Sequence, residues 1–300
     1  MINSLKNASY SSEYALCLSL CRVFICLIAL RNIFVSLPLF ETLYSGTSFW
    51  VTSDILYGFS FLDSYSGIIR SNAKIVIFLY TTSLILYVFG VGRRYIAIMT
   101  FILFDLIQRM SYITLNGGDN LLKFIFLYLC FADSFRYLSI KKSKPNFTQI
   151  SDAPNLSIFI NNLVVLSIKI HLCCAYLLST FYKLNTEVWF NGLATYYTLS
   201  VERFQGTPWN QILAKNGFWV TITTYSTLAI ELSFPFLVWF RQTKLFITVA
   251  TIVLHFGIFI FMMIYDFQII FIFLHIFFFN DNDIKSLWIL LKNKFTTIFS

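Results

Sequence analysis

The chain has 300 residues, of which 58% are hydrophobic and only 12% charged, and its mean hydropathy is +0.73. A soluble globular domain carries about twice that share of charged residues, so the composition excludes one and indicates a polytopic membrane protein. The net charge of +8 is scattered between apolar runs. This favours topology signals and contact with anionic membrane lipids over nucleic-acid binding.

Membrane-spanning helices need about 20 mostly apolar residues. By that measure we predict an all-α integral membrane helix bundle of about eight transmembrane helices, formed by a single domain over residues 1–300. The predicted spans are 14–38, 73–91, 95–113, 120–139, 156–182, 217–239, 245–264 and 267–280. The first apolar run follows a single lysine and has no small-residue cleavage site after it, which favours a retained span over a removed signal peptide.

Basic clusters between the predicted spans set the orientation of the chain. They are Arg93–Arg94, Lys141–Lys144, Arg241–Lys244 and Lys285–Lys294. All four fall in the cytoplasm when the chain crosses eight times with both termini inside, as the positive-inside rule requires. The loops richest in Gly, Asn, Asp, Thr and Trp then face outward, so we expect any chemistry on the outer side.

The segment after Lys183 carries an amphipathic pattern. Its apolar stripe at helical spacing consists of Trp189, Leu193, Tyr196, Tyr197 and Phe204, and its polar stripe of Asn191, Thr195, Thr198 and Glu202. The pattern predicts an interfacial helix over about 187–205, lying along the outer membrane surface.

Six cysteines lie inside apolar runs, at positions 17, 21, 26, 130, 173 and 174. Their spacing and setting are not those of a disulfide framework or a zinc site, so no metal is indicated. The three histidines, His171, His255 and His275, fall at different depths and form no convincing metal set. We interpret His275 as a core residue.

Ionisable residues inside spans are costly and need a partner or a function. Asp105 and Arg109 are four residues apart, so we expect a structural pair along one helix. Counted at 1.5 Å per residue from the inner ends of their spans, Glu231 and His255 both lie about 15–17 Å deep in the membrane. We therefore predict that the two side chains could meet at mid-membrane. Helix–helix attachment and proton handling remain equally open for them.

Lys183 stands at the outer end of span five, where lysine is under-used in a positive-inside chain. One interpretation is a snorkelling side chain that keeps its ammonium in the headgroup region. The other is a desolvated amine beside aromatic rings, which would act as a base or nucleophile.

Three stretches of the sequence resemble the HTTM superfamily, whose transmembrane domain is shared with the vitamin K-dependent gamma-carboxylases. They are "NGGDNLLKFIFLYLCFADSFRYLS", "HLCCAYLLSTFYKLNTEVWFNGLATYY" and "ELSFPFLVWFRQTK" followed by a span with His255. Within the superfamily the length and the Asn-Gly-Gly-Asp stretch look most like the sporulation-delaying protein B family. The resemblance covers most of the chain and includes Arg22. Its most specific positions are Tyr176, Lys183, Leu184, Trp189 and Gly192.

The resemblance implies roles for individual residues. Lys183 matches the general base of the carboxylases, and His255 matches a histidine of a later span. The outer-face Gly-Gly-Asp is matched by Gly117, Gly118 and Asp119. We expect Asp119 and Trp189 to shape the site, with Lys183, Glu231 and His255 as its catalytic residues. Tyr176, Gly192 and His171, which stands where many relatives have glutamine, complete the expected binding set.

The family also implies a function. Its sporulation-delaying protein B members belong to bacterial three-component systems, where they mature a secreted precursor into an antimicrobial peptide toxin together with a small companion protein. The expected partners are therefore that companion, the precursor and membrane lipids, in the bacterial inner membrane. The cofactor is unknown, with a quinone or a lipid as possibilities. The chain lacks the large luminal domain of the true carboxylases, which puts glutamate carboxylation in doubt. A non-catalytic scaffold or export subunit, a lipid- or quinone-binding carboxylase-like enzyme and an immunity protein are the alternatives.

Overall fold

The computed structural model describes residues 14–45, 63–140 and 156–298, and every regular element in these ranges is a helix. The α-helices are α1 (Ala15–Ser36), α2 (Phe40–Leu43), α3 (Asp63–Ser71), α4 (Ala73–Val88), α5 (Arg93–Met110), α6 (Gly117–Phe131), α7 (Leu156–Leu184), α8 (Glu187–Phe190), α9 (Ala194–Ser200), α10 (Trp209–Ala214), α11 (Gly217–Leu237), α12 (Lys244–Met262), α13 (Tyr265–Leu274) and α14 (Asp281–Ile298). Short 3-10 turns cover Leu37–Leu39, Tyr112–Thr114, Glu202–Phe204 and His275–Phe278.

Three helical stretches of the described chain are long and apolar enough to cross a membrane: Ala15–Leu43, Leu156–Leu184 and Lys244–Met262. Two bent pairs raise this number to five if each counts as one span. They are Tyr65–Ser71 with Ala73–Val88, bent by 77°, and Tyr265–Phe278 with Asp281–Ile289, bent by 106°. The prediction of an all-helical membrane protein is confirmed at this level.

The predicted spans 95–113, 120–139 and 217–239 fall on α5, α6 and α11, which are not among those five. Helix α6 is only 15 residues long, and α5 carries both arginines at its start as well as the Asp105–Arg109 pair. The count of eight spans therefore stays a prediction. Residues 1–13, residues 46–62 of the first outer loop, and the predicted cytoplasmic lysines 141, 142 and 144 lie outside the described residues.

The chain divides into two compact units. The first comprises Met1–Val165 with Asn280–Ser300, and the second comprises Leu166–Phe279. Helix α7 begins in the first unit and continues in the second.

Arg22 organises the first unit. It extends from α1, is fully buried, and donates to carbonyl oxygens at the end of α4 and in the loop after α6. The contacts include Val88 O at 2.6 Å, Ser134 O at 3.0 Å and Leu138 O at 2.6 Å. A cation at a helix C-terminus also interacts favourably with the helix dipole. The arginine that the family resemblance singles out therefore ties three segments of this unit together.

Carboxylates complete the polar contacts of the first unit. Asp281 accepts from the backbone N–H groups of Leu16, at 2.8 Å, and Cys17, at 3.2 Å, and so caps the start of α1. Asp105 pairs with Arg109 at 2.7 Å along α5, as predicted, and also with Lys123 of α6. These ion pairs give α5 and α6 a structural reason for their charges.

In the second unit α11 packs against α12, and α12 against α13. The predicted interfacial segment contacts α11 and α12. That segment differs from the single helix predicted over 187–205. It consists of α8, a turn at Gly192 with φ of +74°, α9 and the 3-10 turn Glu202–Phe204. A residue with a left-handed backbone interrupts the α-helix, and glycine adopts that conformation most freely. The apolar stripe is therefore divided at Gly192.

Substitutions at two separate glycines, Gly90 and Gly67, test the packing of the first unit. Gly90 has φ of +69°, and a Cβ there would lie 3.2 Å from the Ser139 backbone and closer still to its side chain, whereas a Cβ on Gly67 in α3 meets nothing within 4 Å. We expect Gly90→Ala to lower the melting temperature of the detergent-solubilised protein by several degrees, since both strain and a clash arise. Gly67→Ala is the control and should leave the melting temperature unchanged or raise it. Equal melting temperatures for the two variants would contradict this account of the turn.

Candidate functional site

One face of α7 carries the polar residues of the second unit's core. Tyr176, Thr180 and Lys183 follow at spacings of four and three, so their side chains fall within about 60° of one another around the helix. Tyr176 and Thr180 are buried, and the Thr180 hydroxyl donates to the Tyr176 carbonyl oxygen at 2.9 Å. The hydroxyl of Tyr176 and the ammonium of Lys183 thus remain to bind groups on other helices.

Lys183 forms an ion pair with Glu231 of α11. Only 21% of the lysine side chain and 7% of the glutamate side chain are exposed. Glu231 belongs to the buried face of α11, which also carries Thr224, Leu228 and Phe234 at helical spacing. Both groups are therefore held largely out of solvent, where an unpaired charge would be costly. The predicted contact between Glu231 and His255 is not observed among the described residues, because the carboxylate points to the lysine instead.

Trp189 covers the lysine. The Lys183 Nζ lies 5.0 Å from the centre of the indole ring, within the range of a cation–π interaction. Helix α8 is fixed in this position by α11, since the hydroxyl of Tyr225 donates to the Phe190 carbonyl oxygen at 2.8 Å. The Trp189 and Lys183 positions of the family motif are therefore in direct contact.

Gly192 permits this arrangement. Its φ is +74°, and a Cβ at this position would lie 3.0 Å from the Tyr225 ring and 3.3 Å from a methyl carbon of Thr221. Just beyond it, the Thr195 backbone N–H donates to the Thr224 hydroxyl at 3.1 Å. Predicted as a binding residue, Gly192 has a clear role in the turn that docks α8 and α9 on α11.

A second polar group consists of Tyr176 on α7, His255 on α12 and Gln268 on α13. The Nε2 of His255 lies 2.6 Å from the Tyr176 hydroxyl, and its Nδ1 is hydrogen bonded to Oε1 of Gln268. An amide oxygen only accepts, so Nδ1 carries the proton and Nε2 of the neutral ring accepts from Tyr176. Tyr176 thus donates to His255, and His255 donates to Gln268. The glutamine fixes the tautomer of the histidine.

Aromatic rings enclose this second group. The Tyr176 ring lies 4.6 Å from that of Phe234, 5.5 Å from that of Phe271 and 6.1 Å from that of His275, centre to centre. His275 is 1% exposed, as its interpretation as a core residue requires, and its Nδ1 donates to the Phe271 carbonyl oxygen at 2.7 Å. The enclosure keeps water away from the hydrogen bond between Tyr176 and His255.

The two polar groups influence one another. Glu231 is close enough to Tyr176, and Lys183 to His255, for an electrostatic interaction between the members of each pair. The second unit therefore holds an ion pair and a hydrogen-bonded relay, both built on the same face of α7. Gln268 and Phe234 are site residues that the sequence analysis missed. The signal for Gln268 was present, because it is a lone amide within an apolar span.

The remaining predicted residues lie elsewhere. Gly117, Gly118 and Asp119 belong to the first unit and open α6, where the Asn116 side chain accepts from the Gly118 N–H at 2.7 Å and Asp119 accepts from the Asn116 N–H at 3.0 Å. This is a capping box, which gives the Asn-Gly-Gly-Asp stretch a structural role in helix initiation. His171 is half-buried on α7, about 140° around the helix from Tyr176.

Within the described residues, no group of three or more His, Cys, Asp or Glu side chains is arranged to hold a metal ion. Comparison with models of known protein families, with curated proteins and with solved structures found no match for the chain. The resemblance to the HTTM superfamily rests on the sequence motifs.

Tyr176→Phe tests the relay. The substitution leaves Nε2 of the buried His255 without its donor, which costs about 1–3 kcal/mol, so the melting temperature of the solubilised protein should fall by several degrees. Tyr182→Phe is the matched control, because Tyr182 is 76% exposed on the same helix and its hydroxyl has no partner among the described residues. If both variants melt at the wild-type temperature, the relay contributes nothing to stability.

Proposed function

We propose that the chain is a multi-pass bacterial membrane protein that matures a secreted antimicrobial peptide precursor at the extracytoplasmic face, together with a small companion protein. The observation that carries the proposal is the burial of Lys183 against Glu231 and Trp189 at the end of α7. The lysine and the tryptophan are positions of the family motif. A site that combines a desolvated amine, a carboxylate and an indole is suited to chemistry on a substrate held at the membrane surface.

In this proposal Lys183 acts as a base after passing its proton to Glu231. An ammonium cannot abstract a proton until it loses one. Glu231 is the acceptor in contact, so the pair shares one proton between two positions. Tyr176 and His255 add a second donor–acceptor couple within electrostatic range. No metal enters this scheme, and a quinone or a lipid remains a possible ligand.

The proposal includes eight membrane spans with both termini in the cytoplasm. For the span on α11, the support comes from its aromatic residues. Trp219 lies near the start of α11 and Trp239 two residues after its end, and they are 49% and 47% exposed. A helix of about 20 residues is about 30 Å long, which matches the hydrocarbon thickness of a typical bilayer, and tryptophans are enriched at both membrane interfaces.

The catalytic role of Lys183 is tested by mass spectrometry of peptides secreted by the source bacterium. The chromosomal copy is deleted, and the wild-type chain or a variant is supplied in its place. Lys183→Ala and Lys183→Arg should both reduce the mature peptide by about a hundredfold or more, because neither side chain is an effective base at neutral pH. Both variants should still accumulate in the membrane.

Lys215→Ala is the control for this experiment, since Lys215 is an exposed lysine of the same unit and should support full maturation. Full activity of Lys183→Arg would overturn proton abstraction and leave an electrostatic role. An unchanged peptide profile in the deletion strain would overturn the proposed function as a whole.

A non-catalytic scaffold or export subunit is the second candidate, and the same ion pair favours it because Lys183 and Glu231 attach α7 to α11. Under this alternative, Lys183 substitutions reduce maturation only as far as they weaken assembly. Co-purification of the companion protein separates the two candidates. The companion should remain bound to Lys183→Ala if the lysine is catalytic, and should be lost in proportion to activity if it is structural. An immunity role is tested by expressing the chain alone in a toxin-sensitive strain.

The orientation is tested with alkaline phosphatase fusions, since the enzyme is active only outside the cytoplasm. A fusion after Ser200 should be active and a fusion after Thr243 inactive, because the first residue lies in the predicted outer segment and the second in a predicted inner loop. The reverse pattern, or equal activity of the two fusions at equal abundance, would refute the proposed topology.

A further inference from the structure

Glu231 has one oxygen that the ion pair does not use. Its Oε1 accepts from Lys183, whereas Oε2 is buried and has no hydrogen-bond partner among the described residues. The glutamate residue as a whole is 5% exposed. A buried carboxylate oxygen without a donor is costly, and a native structure calls for an explanation of it.

Lys183 offers a donor next to that oxygen. An ammonium has three N–H groups, of which one is directed to Glu231 in the described structure. The lysine side chain is 21% exposed, so a further N–H can reach a ligand that enters beside Trp189. Because the two carboxylate oxygens share one carbon, Oε2 stands beside this donor. A ligand that opens the site beside Trp189 would therefore meet one donor and one acceptor side by side.

The geometry points to the backbone of an extended peptide as the ligand of the Lys183–Glu231 pair. In an extended chain, the N–H and C=O groups of one residue point to the same edge, as they do between paired strands. The N–H would donate to Glu231 Oε2 and the C=O would accept from Lys183. Trp189 offers an apolar surface for the adjoining side chain. The peptide thereby satisfies the buried oxygen that the protein leaves without a partner.

Other ligands fit the pair less well. A quinone carries only acceptors, so it could bind Lys183 but would leave Oε2 without a donor. An anionic lipid headgroup would also repel the carboxylate. A neutral peptide segment brings no charge into the apolar surroundings and matches a pair whose own net charge is zero. The inference rests on the proposed function for the location of the site, but not for the reaction.

The test is a comparison of two probes that differ in one atom. The first is acetyl-leucyl-para-fluorophenylalanine methylamide, and the second has an ester oxygen in place of the N–H that links its two residues. Fluorine NMR measures their dissociation constants with the full chain in lipid nanodiscs, and empty nanodiscs correct for partition into lipid. We expect the amide to bind about tenfold more tightly, since a hydrogen bond to a charged group is at stake.

Glu231→Gln should abolish this preference. The oxygen of the glutamine amide would face Lys183, and its NH₂ group would replace the acceptor at the Oε2 position. Glu202→Gln, a change at an exposed carboxylate of the same unit, should keep the tenfold preference. Tetramethylbenzoquinone at equal concentration should not displace the amide probe. If Glu231→Gln does not accumulate in the membrane, the ratio of the two probes' dissociation constants on the wild-type chain is enough to test the inference.

Equal binding of the two probes to the wild-type chain, a preference that survives Glu231→Gln, or displacement by the quinone would each overturn the inference. The result is separable from the proposed function. A clear amide preference with unchanged peptide secretion upholds the inference and removes the proposed function. Loss of secretion in the Lys183 variants without any amide preference upholds the proposed function and overturns the inference.

Discussion

The burial of charge in an apolar protein is the constraint on which the described structure depends. A lysine or a glutamate alone at these positions would be left with an uncompensated charge, at a cost of about 3–5 kcal/mol once its partner is removed. Lys183 and Glu231 compensate each other's charge, although their two helices are far apart in the sequence. Trp189 also lies against the lysine, at the distance of a cation–π interaction. The ion pair that attaches α7 to α11 is thus also the centre of the proposed site.

The first unit meets the same constraint by other means. Arg22 is fully buried, and its planar guanidinium is matched by several backbone carbonyl oxygens, which lack partners at helix ends. Asp105 receives one cation from its own helix and one from the next. In both cases the charged group is paired within the first unit. Oε2 of Glu231 has no hydrogen-bond partner among the described residues, and the inferred peptide ligand would supply its donor.

Much of this arrangement could be predicted from the sequence. Apolar runs located the helices, and the rarity of charge within them drew attention to Lys183, Glu231 and His255. The partners could not be predicted, because sequence spacing gives the depth of a residue but not the direction that its helix face takes. Glu231 and His255 lie at similar computed depths, yet one faces Lys183 and the other faces Tyr176 and Gln268. Two local structures were not predicted. Asp119 begins a helix through a capping box, and the left-handed turn at Gly192 divides the stripe that was predicted to form one helix.

We infer that the Lys183–Glu231 pair is kept for function and not only for stability. Replacing both residues with methionine separates the two roles, since an apolar pair of similar volume is often neutral or stabilising where a buried ion pair stood. The measurement is the amount of mature secreted peptide, by mass spectrometry, per amount of membrane-inserted Lys183→Met/Glu231→Met protein. The account predicts a protein that accumulates and melts at or above the wild-type temperature but produces no mature peptide. A stable double variant that matures the peptide at the wild-type level would contradict it.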